Sequence, residues 1–348
     1  MKHLLLWCVC CLLFVGCSTS DKEKSLSKIF DGLHIDVTAE ATKIHSRDIT
    51  TPMYIECDKN LLICANLHGE KKISVYDLVT GEIINEFLHV GRGPNEIIRV
   101  SSMYISRDTL MVYCANSRKI IRTPTQGLAT PPSELTTTPS LSNFLRVLPL
   151  KEGFFATTGF NEYGYLQLVN RAGEIQVLEF FPDDHVSNLK EEKNLAYQGK
   201  LHGNPAGNKF VYGSSYGLIL KFMELSGHSA KKNREYVLGK PQYITDSKPN
   251  DQRFSIRWKD DALRGVLDMT GSDEYCFILC EEKKKVSDRK WSLSSVYVFT
   301  WNGEPVQKMN LDRPVDCIAY DTSSQKLIAL AYTNEEEPEF VCFPIELD

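Results

Sequence analysis

Short runs rich in Val, Ile, Tyr and Phe, separated by Gly, Asn, Asp and Pro, repeat along this chain, and almost no window carries apolar residues at helical spacing. Such punctuation specifies an all-β chain, because β-branched and aromatic residues suit a pleated surface and the separators supply turns. The runs group into units of roughly 40 to 50 residues, the period at which four-stranded blades stack into a propeller. The clearest unit is residues 53–91, "MYIECDKNLLICANLHGEKKISVYDLVTGEIINEFLHVG", with four strand-like runs and the turns "DKN" and "VTGE". Further units begin at residues 102, 144, 207 and 263, with turns at Arg107-Asp108, Lys151-Glu152-Gly153, Arg171-Ala172-Gly173 and Trp301-Asn302-Gly303. A sixth, residues 315–347, stops one strand short.

A ring that ends one strand short leaves unpaired sheet edges, so it should close on itself. Residues 32–38, "GLHIDVT", have strand character and precede the first unit, which makes them the expected outer strand of the last blade. The resulting fold class is all-β: a six-bladed β-propeller of four-stranded antiparallel blades, closed by an N-terminal strand, in one domain spanning residues 30–348. The alternatives are seven blades, with a degenerate one inside residues 182–204, or a pair of β-sandwiches.

"MKHLLLWCVCCLLFVGC" has a cationic start at Lys2, an apolar run from Leu4 to Val15, and then Gly16-Cys17. The run is shorter than the roughly 20 residues of a spanning helix, so residues 1–16 read as a secretory signal. A small residue before a cysteine resembles a bacterial lipoprotein signal, which implies lipidation of Cys17. The apolar positions before it depart from that pattern, with Phe14 where leucine is usual; ordinary cleavage to a soluble periplasmic protein is the alternative. Residues 17–29 then form a polar tether. The expected location is the cell envelope, lipid-anchored at the outer membrane on its periplasmic or surface-exposed side.

Loss of residues 1–16 removes only Lys2 among the counted charges, moving the net charge from −5 to −6. An acidic chain without a concentrated basic face argues against nucleic acid as a partner. The basic run "EEKKKVSDRK", residues 281–290, is mixed in sign and reads as a solvated hairpin tip. Of eleven cysteines, three lie in the signal and one is Cys17. The other seven sit mostly in apolar runs, as free cysteines do, and an odd number cannot pair completely. Cys57 and Cys64 are the pair that a hairpin at "DKN" could bring together. No spacing is that of a zinc site, and no cofactor is implied.

"GRGPNE", residues 91–96, opens with Gly-x-Gly but lacks the third small residue and the helix of a dinucleotide loop. Gly91 and Gly93 are expected to adopt backbone conformations closed to other residues, and Pro94 fixes its own φ, which makes the stretch a structural turn between blades. With "VYVFTWNGEPVQKMNLD", "CIAYDTSSQKLIAL" and the lipoprotein-like start, the turn resembles the six-bladed, TolB-like β-propeller lipoproteins of Bacteroidetes over residues 30–348. Gly91, Gly93, Pro94 and Glu96 match that family's Gly-x-Gly-Pro-Gly-Glu turn, and Asn95 departs from it. The resemblance implies fold and place but no chemistry.

"GSSYG", residues 213–217, matches a hydrolase nucleophile elbow, yet strand-like runs flank Ser215 and no aspartate lies between it and His228. "PDDH", residues 182–185, reads as a solvated loop. Propellers bind over the central channel, where loops from all blades converge. The candidate channel-face residues are therefore Arg92, Glu96, Arg99, Tyr163, Tyr165, Tyr216, Arg253, Arg257 and Trp258, although such Tyr and Trp also fill space between blades. The first functional reading is a non-catalytic envelope protein binding a protein partner or small ligand. The alternative is a glycan lyase or hydrolase, which would need a close pair of acid and base residues that the sequence does not reveal.

Overall fold

A computed structural model describes residues 25–44, 49, 51–93, 95–129, 136–139 (backbone only), 144–159, 164–247, 254–281, 284–288, 292–333 and 337–347. Six sheets follow one another along the chain, each built on an antiparallel meander with its innermost strand first; blades 1 and 5 gain a short parallel fifth strand, and blade 6 takes its fourth strand from the N-terminal segment. The innermost strands are Pro52–Asp58, Ser102–Ser106, Arg146–Pro149, Gly199–Gly203, Val266–Gly271 and Val315–Asp321. Each lies beside the next, and Val315–Asp321 lies beside Pro52–Asp58, which closes the ring. Residues 182–204, where the seven-bladed alternative needed a blade, hold a connection with one helical stretch, Lys190–Ala196, and a single strand, Gly199–Gly203, which belongs to blade 4.

The clearest departure from the expected strand map is in blade 4, whose innermost strand Gly199–Gly203 precedes the unit read from residue 207. Gly199 has no room for a side chain there, because a Cβ would come within 2.4 Å of the Tyr212 ring.

Ring closure does use an N-terminal strand, but with a shifted register. His34–Val37 does not join the last blade; it runs parallel to Pro305–Leu311 as a fifth strand of blade 5. The missing strand of blade 6 is Glu40–Ala41, antiparallel to Pro338–Pro344. Residues 25–29, grouped with the tether on polarity, belong to the folded domain. Leu26 and Phe30 are fully buried between blades 4 and 5, and the Phe30 ring meets Tyr297 and Phe299 edge-on at 5.2 and 5.0 Å. Burying two such side chains offsets the cost of ordering the strap that carries them.

The apolar faces of neighbouring blades meet in separate clusters between blades, for example Ile63, Val75, Met103 and Val112 between blades 1 and 2. The expected turns join the strands of each blade: Gly81 and Gly303 take φ of 83° and 84°, a left-handed conformation that favours glycine. Cys57 faces Leu62 and Cys64 faces Ile55, so the two are not cross-strand partners, and the seven described cysteines are unpaired. The signal, Cys17, Pro94, Tyr163 and Arg253 lie outside the described residues. Among the described residues no helix is long and apolar enough to cross a membrane.

Candidate functional site at the channel mouth

Side chains on a strand point to opposite sides in turn, and bulges at Pro52/Tyr54 and Val266/Asp268 shift that order in two of the innermost strands. The innermost strands bring Tyr54, Arg146, Lys200 and Asp268 together from blades 1, 3, 4 and 5. The Tyr54 hydroxyl donates to the Ser101 carbonyl at 2.8 Å and accepts from Arg146 Nη1 at 2.5 Å. Arg146 also donates from Nη1 to the Ser101 carbonyl (3.1 Å) and from Nε to the Gly199 carbonyl (2.8 Å). Lys200 Nζ lies 4.9 Å from the centre of the Tyr54 ring and 3.6 Å from Asp268 Oδ1. Asp268 Oδ2 accepts the Ile318 N–H at 3.1 Å, which ties this cluster to blade 6.

The charges perturb one another. Burial raises the Tyr54 phenol, but the Arg146 and Lys200 cations outweigh it and hold the group below its usual value. Burial pushes the Asp268 carboxyl up in spite of Lys200. Burial and then the Asp268 charge push Glu56, two residues along the strand from Tyr54, well above the usual carboxylate range. His202, on the strand that carries Lys200, is pushed down to about 4 by burial.

Above this cluster a cavity of about 540 Å³ opens at the mouth of the channel. Its polar lining includes Tyr54, Arg99, Ser101, Asn116, Arg146 and Gln198, and Phe144 and Leu145 form an apolar part of the wall. Arg99, expected at the channel face, is therefore in the wall. The neighbouring expectations differ. Arg92 is exposed and not in the wall, and the Glu96 carboxylate folds back to accept the Gly93 N–H at 2.7 Å.

That contact also corrects the reason for the glycines, since neither Gly91 nor Gly93 has a positive φ. The constraint is steric: a Cβ on Gly91 would stand 2.0 Å from Glu96 Oε2, and one on Gly93 would stand 3.0 Å from the same atom. Lys119 secures the turn from blade 2 by donating to the Arg92 carbonyl at 3.0 Å and to the Gly93 carbonyl.

Tyr165 is not a channel residue. It is buried and stacks on Tyr197 at 5.7 Å, with Tyr212 at 5.1 Å. Tyr216 and Trp258 do come together, as a stack 3.8 Å between centroids. Trp258 belongs to a hairpin, Tyr243–Thr245 with Ile256–Trp258, inserted between blades 4 and 5. Neither residue is in the cavity wall; the nearest link is the Ser215 N–H, which donates to the carbonyl of the wall residue Gln198 at 3.0 Å. Arg257 is exposed on the same hairpin.

Two polar stretches read as solvated are partly buried. Asp184 accepts the Tyr243 hydroxyl at 2.7 Å. Glu281 and Lys284 pair at 2.8 Å while only 3% and 6% exposed. Among the described residues no group of three His, Cys, Asp or Glu is placed to hold a metal.

A ring of six meander blades around a polar channel, with a cavity at its mouth, defines a six-bladed β-propeller. The chain belongs to the TolB-like 6-blade propeller-like family, whose profile matches residues 34–323. No curated protein sequence matches it. In structure it is similar to a Bacteroides fragilis protein provisionally described as exported, with 10% identity, a TM-score of 0.55, and coverage of 90% of this chain and 95% of that one. It also matches the Cps50 (Swd1) β-propeller domain of Myceliophteria thermophila at 12% identity and a TM-score of 0.46, covering 89% of this chain and 100% of that one. These identities speak to fold alone.

Proposed function

We propose that this protein is a lipid-anchored envelope propeller that binds a small ligand or a partner's side chain at the channel mouth without turning it over. The observation that carries the reading is the cavity at the mouth, which combines amide, hydroxyl and guanidinium groups with an apolar wall. Its volume, about 540 Å³, is that of a small-molecule site. Among the described residues no carboxylate lines it, so they present a ligand with no acid and base pair of the kind a glycosidase uses. The anchor reading rests on Gly16-Cys17 after the apolar run.

A second reading, a propeller enzyme acting on glycans, is favoured by Tyr54 alone. A phenol acidified by two neighbouring cations is suited to proton abstraction. One set of experiments separates these readings. Wild type should partition with membranes, and Cys17→Ala should release the protein to the soluble fraction; equal partitioning removes the anchor. Acidic and neutral glycans incubated with the wild type should be recovered intact. Product that disappears with Tyr54→Phe would establish the enzyme instead.

A further inference from the structure

Among the described residues neither guanidinium group of the cavity forms an ion pair with a carboxylate, although the Asp268 charge acts on Arg146 from a distance. Arg146 is held by neutral acceptors, namely the Ser101 and Gly199 carbonyls and the Tyr54 hydroxyl. It makes no ion pair among the described residues, and its Nη2 has no hydrogen bond among them. The nearest acid in the cluster, Asp268, is already committed to Lys200 at 3.6 Å and to the Ile318 N–H. Arg99 is exposed at the rim and likewise makes no ion pair among the described residues.

Surrounding a cation with protein is costly unless an anion or a full set of hydrogen bonds compensates it. Here the hydrogen bonds fix the guanidinium plane and leave Nη2 unengaged among the described residues. A guanidinium held in that way is preorganised to donate from Nη2 to one oxygen of an oxyanion, a charge-assisted hydrogen bond. The remaining wall adds hydrogen-bonding groups on Asn116, Gln198 and Ser101 and apolar surface on Phe144 and Leu145, which suits a hydroxylated ring bearing the charge.

We propose, resting on the channel-mouth reading above, that the ligand is a small hydroxylated molecule bearing a carboxylate or phosphate, gripped between Arg146 and Arg99. The two sources of the oxyanion, a uronate and a sugar phosphate, share this chemistry and are separated by the probes. Calorimetric titrations of the wild type with glucuronate, glucose 6-phosphate and neutral glucose form the test, each at low and at high salt.

At least one anion should bind about tenfold or more tightly than glucose, the scale of one charged hydrogen bond. That advantage should shrink as salt rises. Arg99→Gln, at an exposed position that leaves the fold intact, should remove several-fold of it. Arg146→Lys, which keeps the charge and loses the planar guanidinium that aims Nη2, should weaken it further, with an unchanged circular-dichroism spectrum as the control. Preference for glucuronate identifies a carboxylate ligand, and preference for glucose 6-phosphate a phosphate.

Glucose binding as tightly as both anions, with Asn116→Ala weakening all three, overturns the anion class and keeps the site. Binding of an anion that neither Arg99→Gln nor Asn116→Ala alters overturns the site itself. Failure of every probe to bind overturns the anion class.

Discussion

Acid should destabilise this fold through His202. The imidazole is 9% exposed, with the Trp301 ring stacked 6.3 Å away and the Tyr104 ring 6.2 Å away. Burial lowers its pKa from the ordinary 6.5 to about 4. For a base with a depressed folded value, the unfolded chain takes the proton first. Stability is therefore complete above pH 6.5 and falls as the pH drops toward 4. The window spans about 2.5 pH units at about 1.4 kcal/mol each, so about 3 kcal/mol is lost across it, of which about 2 kcal/mol is gone at pH 5. His202→Phe keeps an aromatic ring in the stack and removes the titration. Urea denaturation of both proteins from pH 7.5 to 4 should give a steeper acid limb for wild type, with the difference growing by about 2 kcal/mol between pH 7.5 and 5. Parallel limbs, or a His202 ring titrating near 6.5 by NMR, would refute the reasoning.

Glu56 has the opposite sign. Its folded pKa is raised, so the neutral form suits the fold, and stability is lost as pH rises from the ordinary carboxylate value toward the folded one; Glu56→Gln should raise the melting temperature at pH 8 and leave it nearly unchanged at pH 4. Gly91→Ala should force the Glu96 carboxylate off the Gly93 N–H and cost about 1.5 to 3 kcal/mol. Adding Glu96→Ala should cost little more, and strictly additive penalties in urea titrations would show that the contact is not shared. Phe30→Ala should lower stability by about 3 to 5 kcal/mol, as for a core aromatic; a loss under 1 kcal/mol would mean that the strap is not docked in solution.

The sequence carried the fold well because strands that pack on both sides declare themselves as unbroken apolar runs. "YCFILC" and "KLIALAY" are examples, and both are second strands of their blades. It carried the site poorly for the same physical reason. An innermost strand shows one face to a polar channel, so "GKLHG" has two glycines and two polar residues among its five and does not read as a strand. Lys200 and His202 were lost with it. Arg146, Tyr54 and Asp268 lie far apart in sequence, and only ring geometry brings them to one place. Arg99 was within reach because it follows a recognisable inter-blade turn. Tyr165 was misassigned because an aromatic residue in a strand fits the packing between blades as readily as a channel wall, and sequence does not say which face it takes.

The strap made of residues 25–41 also sets an order of events. Ser27 meets Tyr297, a residue 270 positions later, and Glu40 pairs with Lys326, 286 positions later. These residues leave the ribosome before any blade, yet their partners here lie on blades 5 and 6. Until then the growing chain carries two open sheet edges and an unsatisfied strap, the state in which strand-rich chains aggregate. Completion of the ring thus waits until blade 6 has been made, and a chain truncated anywhere before blade 6 has no way to seal itself.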